Sequence, residues 1–127
     1  AAIEHGLSEP DLKSPRLLQT SGLRYRVAPE RPIGSRVAAA EIRRGGEWFP
    51  LDPQRTYRIV TTAYLLDGGD QFNMLKALPP ALARGPLEAE LLERFLEDRR
   101  DAAGELRLPE TGRILGMPFR EKVGAKP

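Results

Sequence analysis

Hydrophobic and polar residues alternate in the first half of the chain at the spacing of β-strands. In segment 23–27, Leu, Tyr and Val alternate with two arginines, which predicts a half-buried strand with a charged outer face. Segment 37–42 predicts a second strand. Segment 47–51 predicts a third, which returns beside the second after a glycine turn at 45–46. This half of the chain is therefore expected to form a small sheet that contains a hairpin.

A glycine- and aspartate-rich turn follows near the middle of the chain. Segment 57–62 is rich in β-branched residues and predicts a buried strand. Tyr64 and the turn 67–70, with the sequence Asp-Gly-Gly-Asp, come next, and a short helix is predicted after the turn. Corners of this kind place polar side chains and backbone N–H groups at one edge of a domain, where small ligands bind. We therefore expect the ligand site at this corner.

The hydrophobic period changes to that of a helix in the second half of the chain. Five apolar residues fall on one stripe of a predicted helix over Leu87–Ala103, which Gly104 would terminate. We expect this helix to pack on one face of the sheet. Its charged residues then form a solvated face rather than a site.

The remaining segments complete a predicted α+β fold built on a mixed or antiparallel sheet. Residues 1–6 look like the last turn of a helix with Gly6 as its cap, so we expect the chain to begin within something larger. Segment 113–115 is a predicted edge strand. The expected organisation is one domain over residues 1–119 and a frayed tail over 120–127.

The composition excludes several kinds of catalytic chemistry. The chain has no Cys and a single His, His5, so disulfides, thiolate nucleophiles and Cys-based zinc sites are excluded. A Ser–His–acid triad or a hydrolytic metal centre would depend on that one His. We expect no catalytic residue and no metal ligand in this chain.

Charge and hydropathy limit the kinds of partner. The net charge is +2, and acidic and basic residues are interleaved along the chain, which argues against a nucleic-acid partner. No apolar run approaches the roughly 20 residues that a membrane span requires. Neither a nucleic acid nor a membrane span is therefore expected.

Two residues of the glycine-rich corner each have two interpretations. Asp70 either caps the following helix or accepts hydrogen bonds from a pair of vicinal hydroxyls, as on a ribose. A carboxylate has enough lone pairs for both roles. Tyr64 is either a core aromatic residue or a stacking face for a flat ring.

Four segments in order resemble the C-terminal domain of the 5′-nucleotidase family. They are 18–25 (LQTSGLRY), 31–37 (RPIGSRV), 51–53 (LDP) and 64–72 (YLLDGGDQF). That family includes bacterial UDP-sugar hydrolases, 2′,3′-cyclic phosphodiesterases and ecto-5′-nucleotidase. The similarity extends from Ala1 through Leu115 and corresponds to the second half of the substrate-binding domain.

The resemblance implies a layered α/β/β/α fold, truncated at its N-terminus, and roles for four residues. Tyr64 matches the second of two aromatic residues, often Phe, that enclose the base. Asp70 matches the Asp that binds the ribose hydroxyls, while Gly68 and Gly69 match glycines of a Gly-Gly-Asp-Gly turn. Gln71 departs from the family pattern, because it stands where the last glycine of that turn is usual.

The resemblance also implies partners that lie outside this chain. An N-terminal metallophosphoesterase domain of the same protein, with two divalent metal ions, would hold the catalytic residues. This chain would then be the nucleoside-binding part, inactive alone, in a periplasmic or extracellular protein. A homodimer is one way for a partial copy of the domain to complete itself. The alternative is a non-catalytic binding or assembly module that retains the fold.

Overall fold

A four-stranded mixed sheet is the framework of the computed structural model, which describes residues 1–9, 14–79, 85–106 and 112–117. Its strands are β1 (Leu23–Val27), β2 (Val37–Arg44), β3 (Glu47–Pro50) and β4 (Ile114–Leu115). The strand order is β3-β2-β1-β4, with β1–β2 and β2–β3 antiparallel and β1–β4 parallel. The strands predicted over 23–27, 37–42, 47–51 and 113–115, the hairpin and the α+β class are confirmed, and β2 extends two residues beyond its prediction.

The charged outer face of the sheet follows from the strand register. Arg24 lies opposite Glu41, and its Nε donates to the Glu41 carboxylate at 2.6 Å. The Arg24 guanidinium also lies 4.7 Å from the centre of the Trp48 ring. The hydrogen bond from Arg24 lowers the pKa of Glu41. The predicted alternation in β1 is confirmed, since Tyr25 and Val27 are buried whereas Arg26 is exposed.

Leu7, Tyr25 and Val27 form the buried core on the other face of the sheet. The partly buried residues packed against them are Ile3, Leu17, Val37, Ala40, Ile114 and Met117. The Tyr25 hydroxyl donates to the carbonyl of Leu18 at 2.8 Å, so the buried hydroxyl has a hydrogen-bond partner. This arrangement fixes the central strand against the N-terminal segment.

The N-terminal helix α1 (Ala2–Gly6) is attached to β2 through one carboxylate. Glu4 accepts from the backbone N–H groups of Arg36 at 2.9 Å and of Val37 at 2.7 Å. The helix prediction is confirmed, but the role assigned to Gly6 is wrong, because Leu7 is the C-terminal cap residue. Gly6 is instead the last helical residue, and a Cβ built there would lie 2.7 Å from the Arg16 carbonyl oxygen.

The chain divides into two compact units, one formed by residues 1–57 with the segment from 112 onward, and one by residues 58–111. The first unit contains the sheet and α1. The second contains α2 (Ala63–Leu66), a 3₁₀ turn (Gly69–Gln71), α3 (Asn73–Lys76) and α4 (Glu88–Glu97). Phe72 is the buried hydrophobic residue of the second unit among the described residues.

The prediction of a buried strand over 57–62 is wrong. These residues adopt no regular structure, and Ile59 is 54% and Val60 100% exposed. β-Branched residues favour a strand only where a neighbouring strand receives the backbone hydrogen bonds and covers the side chains. None of the strands in the described parts of the chain pairs with this segment.

Helix α4 is shorter than the predicted helix over Leu87–Ala103. It ends at Glu97, and Gly104, at φ +82°, lies in a later turn. The helix is amphipathic as predicted, but it contains no buried residue, and Leu91 is 49% exposed. That this helix packs on one face of the sheet stays a prediction. The predicted tail, 120–127, lies outside the described residues.

Candidate functional site

Tyr64 lies on the short helix α2, whose N-terminus is capped by a threonine. The Thr62 side chain accepts a hydrogen bond from the backbone N–H of Leu65 at 3.1 Å. The hydroxyl of Thr62 thereby satisfies a backbone donor that a helix of four residues would otherwise leave open. The capped helix holds the Tyr64 backbone at a fixed distance from the turn that follows.

The turn after α2 has an unusual backbone. Gly68, at φ +83°, occupies the left-handed region without steric cost. Asp70 and Gln71 also have positive φ, at 49° and 65°, although both carry a Cβ. Aspartate tolerates this region better than most residues, because its short polar side chain can form a local hydrogen bond. Glutamine is not among the residues favoured there. The turn therefore directs the Asp70 side chain back toward α2.

Tyr64 and Asp70 bond to each other across this turn. The Tyr64 hydroxyl donates to Oδ1 of Asp70 at 2.9 Å, and the Asp70 backbone N–H donates to the same hydroxyl oxygen at 3.1 Å. The two predicted site residues therefore face each other. Asp70 is not a helix cap, because the 3₁₀ turn includes it and Phe72 precedes α3 without a side-chain cap bond.

Both predicted glycines lie under neighbouring side chains. A Cβ built on Gly69 would lie 2.4 Å from Cε1 and Cζ of the Tyr64 ring. A Cβ built on Gly68 would lie 2.7 Å from Cε of Lys76 and 3.1 Å from Oδ1 of Asn73. The absence of side chains at these two positions thus lets Tyr64 and Lys76 lie directly on the turn.

Within its own unit, the site is an exposed surface. Tyr64 is 58% exposed, and Asp70 and Gln71 are exposed as well. The surface therefore presents an aromatic ring and a carboxylate side by side. An aromatic face can stack on a flat heterocycle, and a carboxylate can accept two hydroxyl hydrogen bonds. Whether these four residues bind a ligand stays a prediction.

Two arginines, Arg24 and Arg36, serve the sheet unit. Arg36 is buried at 6% exposure, and its guanidinium donates to the carbonyls of Leu7 at 2.7 Å and Arg31 at 3.4 Å. Arg24 is committed to Glu41, and their hydrogen bond raises the pKa of Arg24. These guanidiniums hold backbone and sheet together.

Within residues 1–9, 14–79, 85–106 and 112–117, no three His, Cys, Asp or Glu side chains converge closely enough to hold a metal ion. Nor does any helix in the same part of the chain combine the length and apolarity needed to cross a membrane.

Comparison with known proteins places the chain in a family. Residues 1–77 match the family described as 5′-nucleotidase, C-terminal domain, and the chain belongs to that family. The predicted resemblance is therefore confirmed.

Relatives and a solved structure agree with this assignment. The chain is 34% identical to an apyrase of Aedes albopictus over 104 residues, which cover 76% of this chain and 18% of the apyrase. It is 35% identical to a 5′-nucleotidase of Diplobatis ommata over 80 residues, covering 60% of this chain and 14% of that protein. A 5′-nucleotidase precursor from Thermus thermophilus superposes with a TM-score of 0.80 at 34% identity, covering 93% of this chain and 23% of that chain.

Two residues near the site were missed by sequence reasoning. Thr62 was assigned to a strand, although a Thr three residues before a potential helical N–H is a recognisable capping signal. The role of Lys76 has no local sequence signal, because its contact with Gly68 depends on the turn geometry. Both residues help to position the Tyr64–Asp70 surface.

Proposed function

We propose that this chain is the nucleoside-binding part of a 5′-nucleotidase-like metallophosphoesterase. The observation that carries the proposal is the contact of Tyr64 with Asp70 on one exposed surface, in a chain of the 5′-nucleotidase C-terminal domain family. The chain spans between 14% and 23% of the length of the three related proteins above, so the catalytic activity is proposed for the longer protein.

Each site residue has a binding role in this proposal. The Tyr64 ring stacks on the base, an interaction worth about 1–3 kcal/mol. Asp70 accepts hydrogen bonds from the two ribose hydroxyls, and each bond to a charged acceptor contributes about 1.5–3 kcal/mol. Gly68 and Gly69 let the turn approach the ligand and carry no chemistry of their own.

No catalytic step is assigned to this chain. In this proposal the metal centre belongs to an N-terminal domain of the longer protein. Two divalent metal ions would supply the hydrolytic chemistry there. Tyr64 and Asp70 contribute by holding the substrate in a reactive orientation. An exported protein, periplasmic or extracellular, is part of the same proposal.

Hydrolysis of AMP by the full-length protein tests this function. Replacing Asp70 by Ala is expected to raise KM about tenfold or more, because the ribose loses its charged acceptor. Asp67→Ala is the matched control, since Asp67 is an exposed aspartate at the start of the same turn. It should leave KM unchanged.

Two results would contradict the proposal. One is a full-length protein that hydrolyses AMP with the same KM in both aspartate variants. The other is the absence of both AMP hydrolysis and adenosine binding in the full-length protein, which would favour a non-catalytic assembly module. Chelation of divalent metal with EDTA should abolish hydrolysis and leave adenosine binding in place.

A further inference from the structure

The Tyr64 hydroxyl makes two hydrogen bonds to one residue. It donates to the Asp70 carboxylate at 2.9 Å and accepts from the Asp70 backbone N–H at 3.1 Å. A phenol can donate one hydrogen bond and accept through its lone pairs, so both contacts are chemically complementary. The pair fixes the orientation of the Asp70 side chain relative to its own backbone.

A fixed orientation of the Asp70 side chain is expected to favour ligand binding. The residue is exposed, it lies at φ 49° within a 3₁₀ turn, and it is not the N-cap residue of α3. An exposed polar side chain loses rotamer freedom when a ligand orders it, and that loss weakens binding. A side chain held in one orientation before the ligand arrives avoids most of this loss.

The phenol contact leaves the carboxylate able to bind a ligand. An ionised carboxylate offers about four lone-pair sites on two oxygens, and the phenol occupies one of them. A vicinal diol needs two acceptor sites. The hydrogen bond from Tyr64 therefore orients the acceptor while itself using only one of these sites.

We propose that the Tyr64 hydroxyl is a positioning group that orients Asp70 and thereby increases selectivity for a sugar with two vicinal hydroxyls. This inference rests on the proposed function. It assigns different roles to the ring and to the hydroxyl of Tyr64. The ring acts on the base of any nucleoside. The hydroxyl acts through Asp70 and so favours only ligands that carry the diol.

Binding of adenosine and of 2′,3′-dideoxyadenosine to the full-length protein tests the proposal by isothermal titration calorimetry. Both ligands have the same base, and only adenosine carries the vicinal hydroxyls. Tyr64→Phe retains the ring and removes the hydroxyl. It should weaken adenosine binding about three- to tenfold, the size expected from ordering one polar side chain, and leave dideoxyadenosine binding unchanged.

Three further variants complete the experiment. Asp70→Ala should abolish the preference for adenosine over dideoxyadenosine. Tyr64→Ala should weaken binding of both ligands, because it removes the ring. Tyr57→Phe is the matched control, since the Tyr57 hydroxyl accepts from the backbone N–H of Asp52 at 2.9 Å in the other unit. It should change neither affinity.

The possible failures are distinguishable. If Asp70→Ala abolishes the adenosine preference and Tyr64→Phe does not reduce it, the positioning role is overturned and the proposed function stands. If Tyr64→Phe weakens both ligands equally, the hydroxyl has only a structural role, which also overturns the inference. A wild-type protein that binds neither ligand, or both equally, overturns the proposed function and this inference together. Dispersed amide NMR spectra for each variant verify that it is folded.

Discussion

The aromatic ring of Tyr64 occupies the space that a side chain on Gly69 would fill. A Cβ at Gly69 would lie 2.4 Å from two ring atoms, well inside van der Waals contact. Gly69 does not have a positive φ, so its lack of a side chain serves this close approach rather than an unusual backbone conformation. The identity of residue 69 and the position of the Tyr64 ring are therefore coupled.

Replacing Gly69 by Ala is expected to displace the Tyr64 ring and break its bonds to Asp70. The free energy of unfolding should fall by about 1 kcal/mol, because two solvent-exposed hydrogen bonds are lost while the backbone conformation remains allowed. Adenosine affinity should fall at least as much as in Tyr64→Phe. Gly85→Ala is the control, since a Cβ there meets no atom within 4 Å and the φ is not positive. Wild-type behaviour of Gly69→Ala would refute the coupling.

Gln71 is the site at which a substitution should stabilise the protein. At φ +65° it occupies a region that glycine enters freely and other residues enter at a cost of about 1–2 kcal/mol. Gln71→Gly should raise the free energy of unfolding by about 0.5–1 kcal/mol, because the relief exceeds the added entropy of the unfolded chain. Urea unfolding measures the change.

The same replacement at a residue with ordinary backbone angles serves as the control for Gln71. Gln54 is exposed in a turn and is not among the residues with positive φ. Gln54→Gly should therefore lower stability slightly through the entropy of the unfolded chain. If Gln71→Gly destabilises as much as Gln54→Gly, the turn stores no backbone strain at this position.

Glu4 is expected to be essential for the attachment of α1 to β2. Glu4→Ala leaves the backbone N–H groups of Arg36 and Val37 without the carboxylate that now accepts from both. The free energy of unfolding should fall by about 2 kcal/mol, since charged hydrogen bonds of this kind contribute about 1.5–3 kcal/mol each and water replaces part of the loss. Chemical denaturation of Glu4→Ala and of the exposed control Glu30→Ala compares the two positions. Equal stability of both variants would contradict this role.

The sheet was predictable because its signal is local. In β1 the alternation of Leu23, Tyr25 and Val27 with arginines specifies both the strand and the face that is buried. The hairpin follows from the glycine pair at 45–46, whose φ values of 55° and 93° suit the tight turn. Neither inference depends on a residue far away in the chain.

Segment 57–62 shows where local preference is insufficient. Its β-branched residues predict a strand, yet Val60 is fully exposed and no strand in the described residues pairs with the segment. A strand forms only where a neighbouring segment pairs with it. The sequence of one segment does not show whether such a partner exists. The same argument applies to α4, whose periodicity predicted an apolar stripe but not what would cover Leu91.

The site was predictable as a pair of residues but not as a hydrogen-bonded unit. The glycine turn and the family resemblance placed Tyr64 and Asp70 together. The contact between their side chains depends on the positive φ of Asp70 and Gln71, which residues with a Cβ rarely adopt and which sequence patterns therefore do not indicate. The capping of α2 by Thr62 was missed because the strand prediction extended over it.

Tyr25 makes the stability of the sheet unit dependent on alkaline pH. Burial raises the pKa of the Tyr25 phenol from 10.0 to about 12. The folded protein therefore holds this proton more tightly than the unfolded chain does. The resulting stabilisation is fully present below pH 10 and is lost as the pH rises through 12, a loss of about 3 kcal/mol.

Urea unfolding between pH 9 and pH 12 measures this dependence in the wild type and in Tyr25→Phe. The variant should lose about 1 kcal/mol at neutral pH, because the Leu18 carbonyl loses its donor, and its stability should fall less steeply above pH 10. Groups that both proteins share contribute equally to the two curves and cancel in the difference. Tyr57→Phe, at a tyrosine that is only partly buried, is the control and should retain the wild-type slope. Identical slopes for Tyr25→Phe and the wild type would mean that the buried phenol does not control alkaline unfolding.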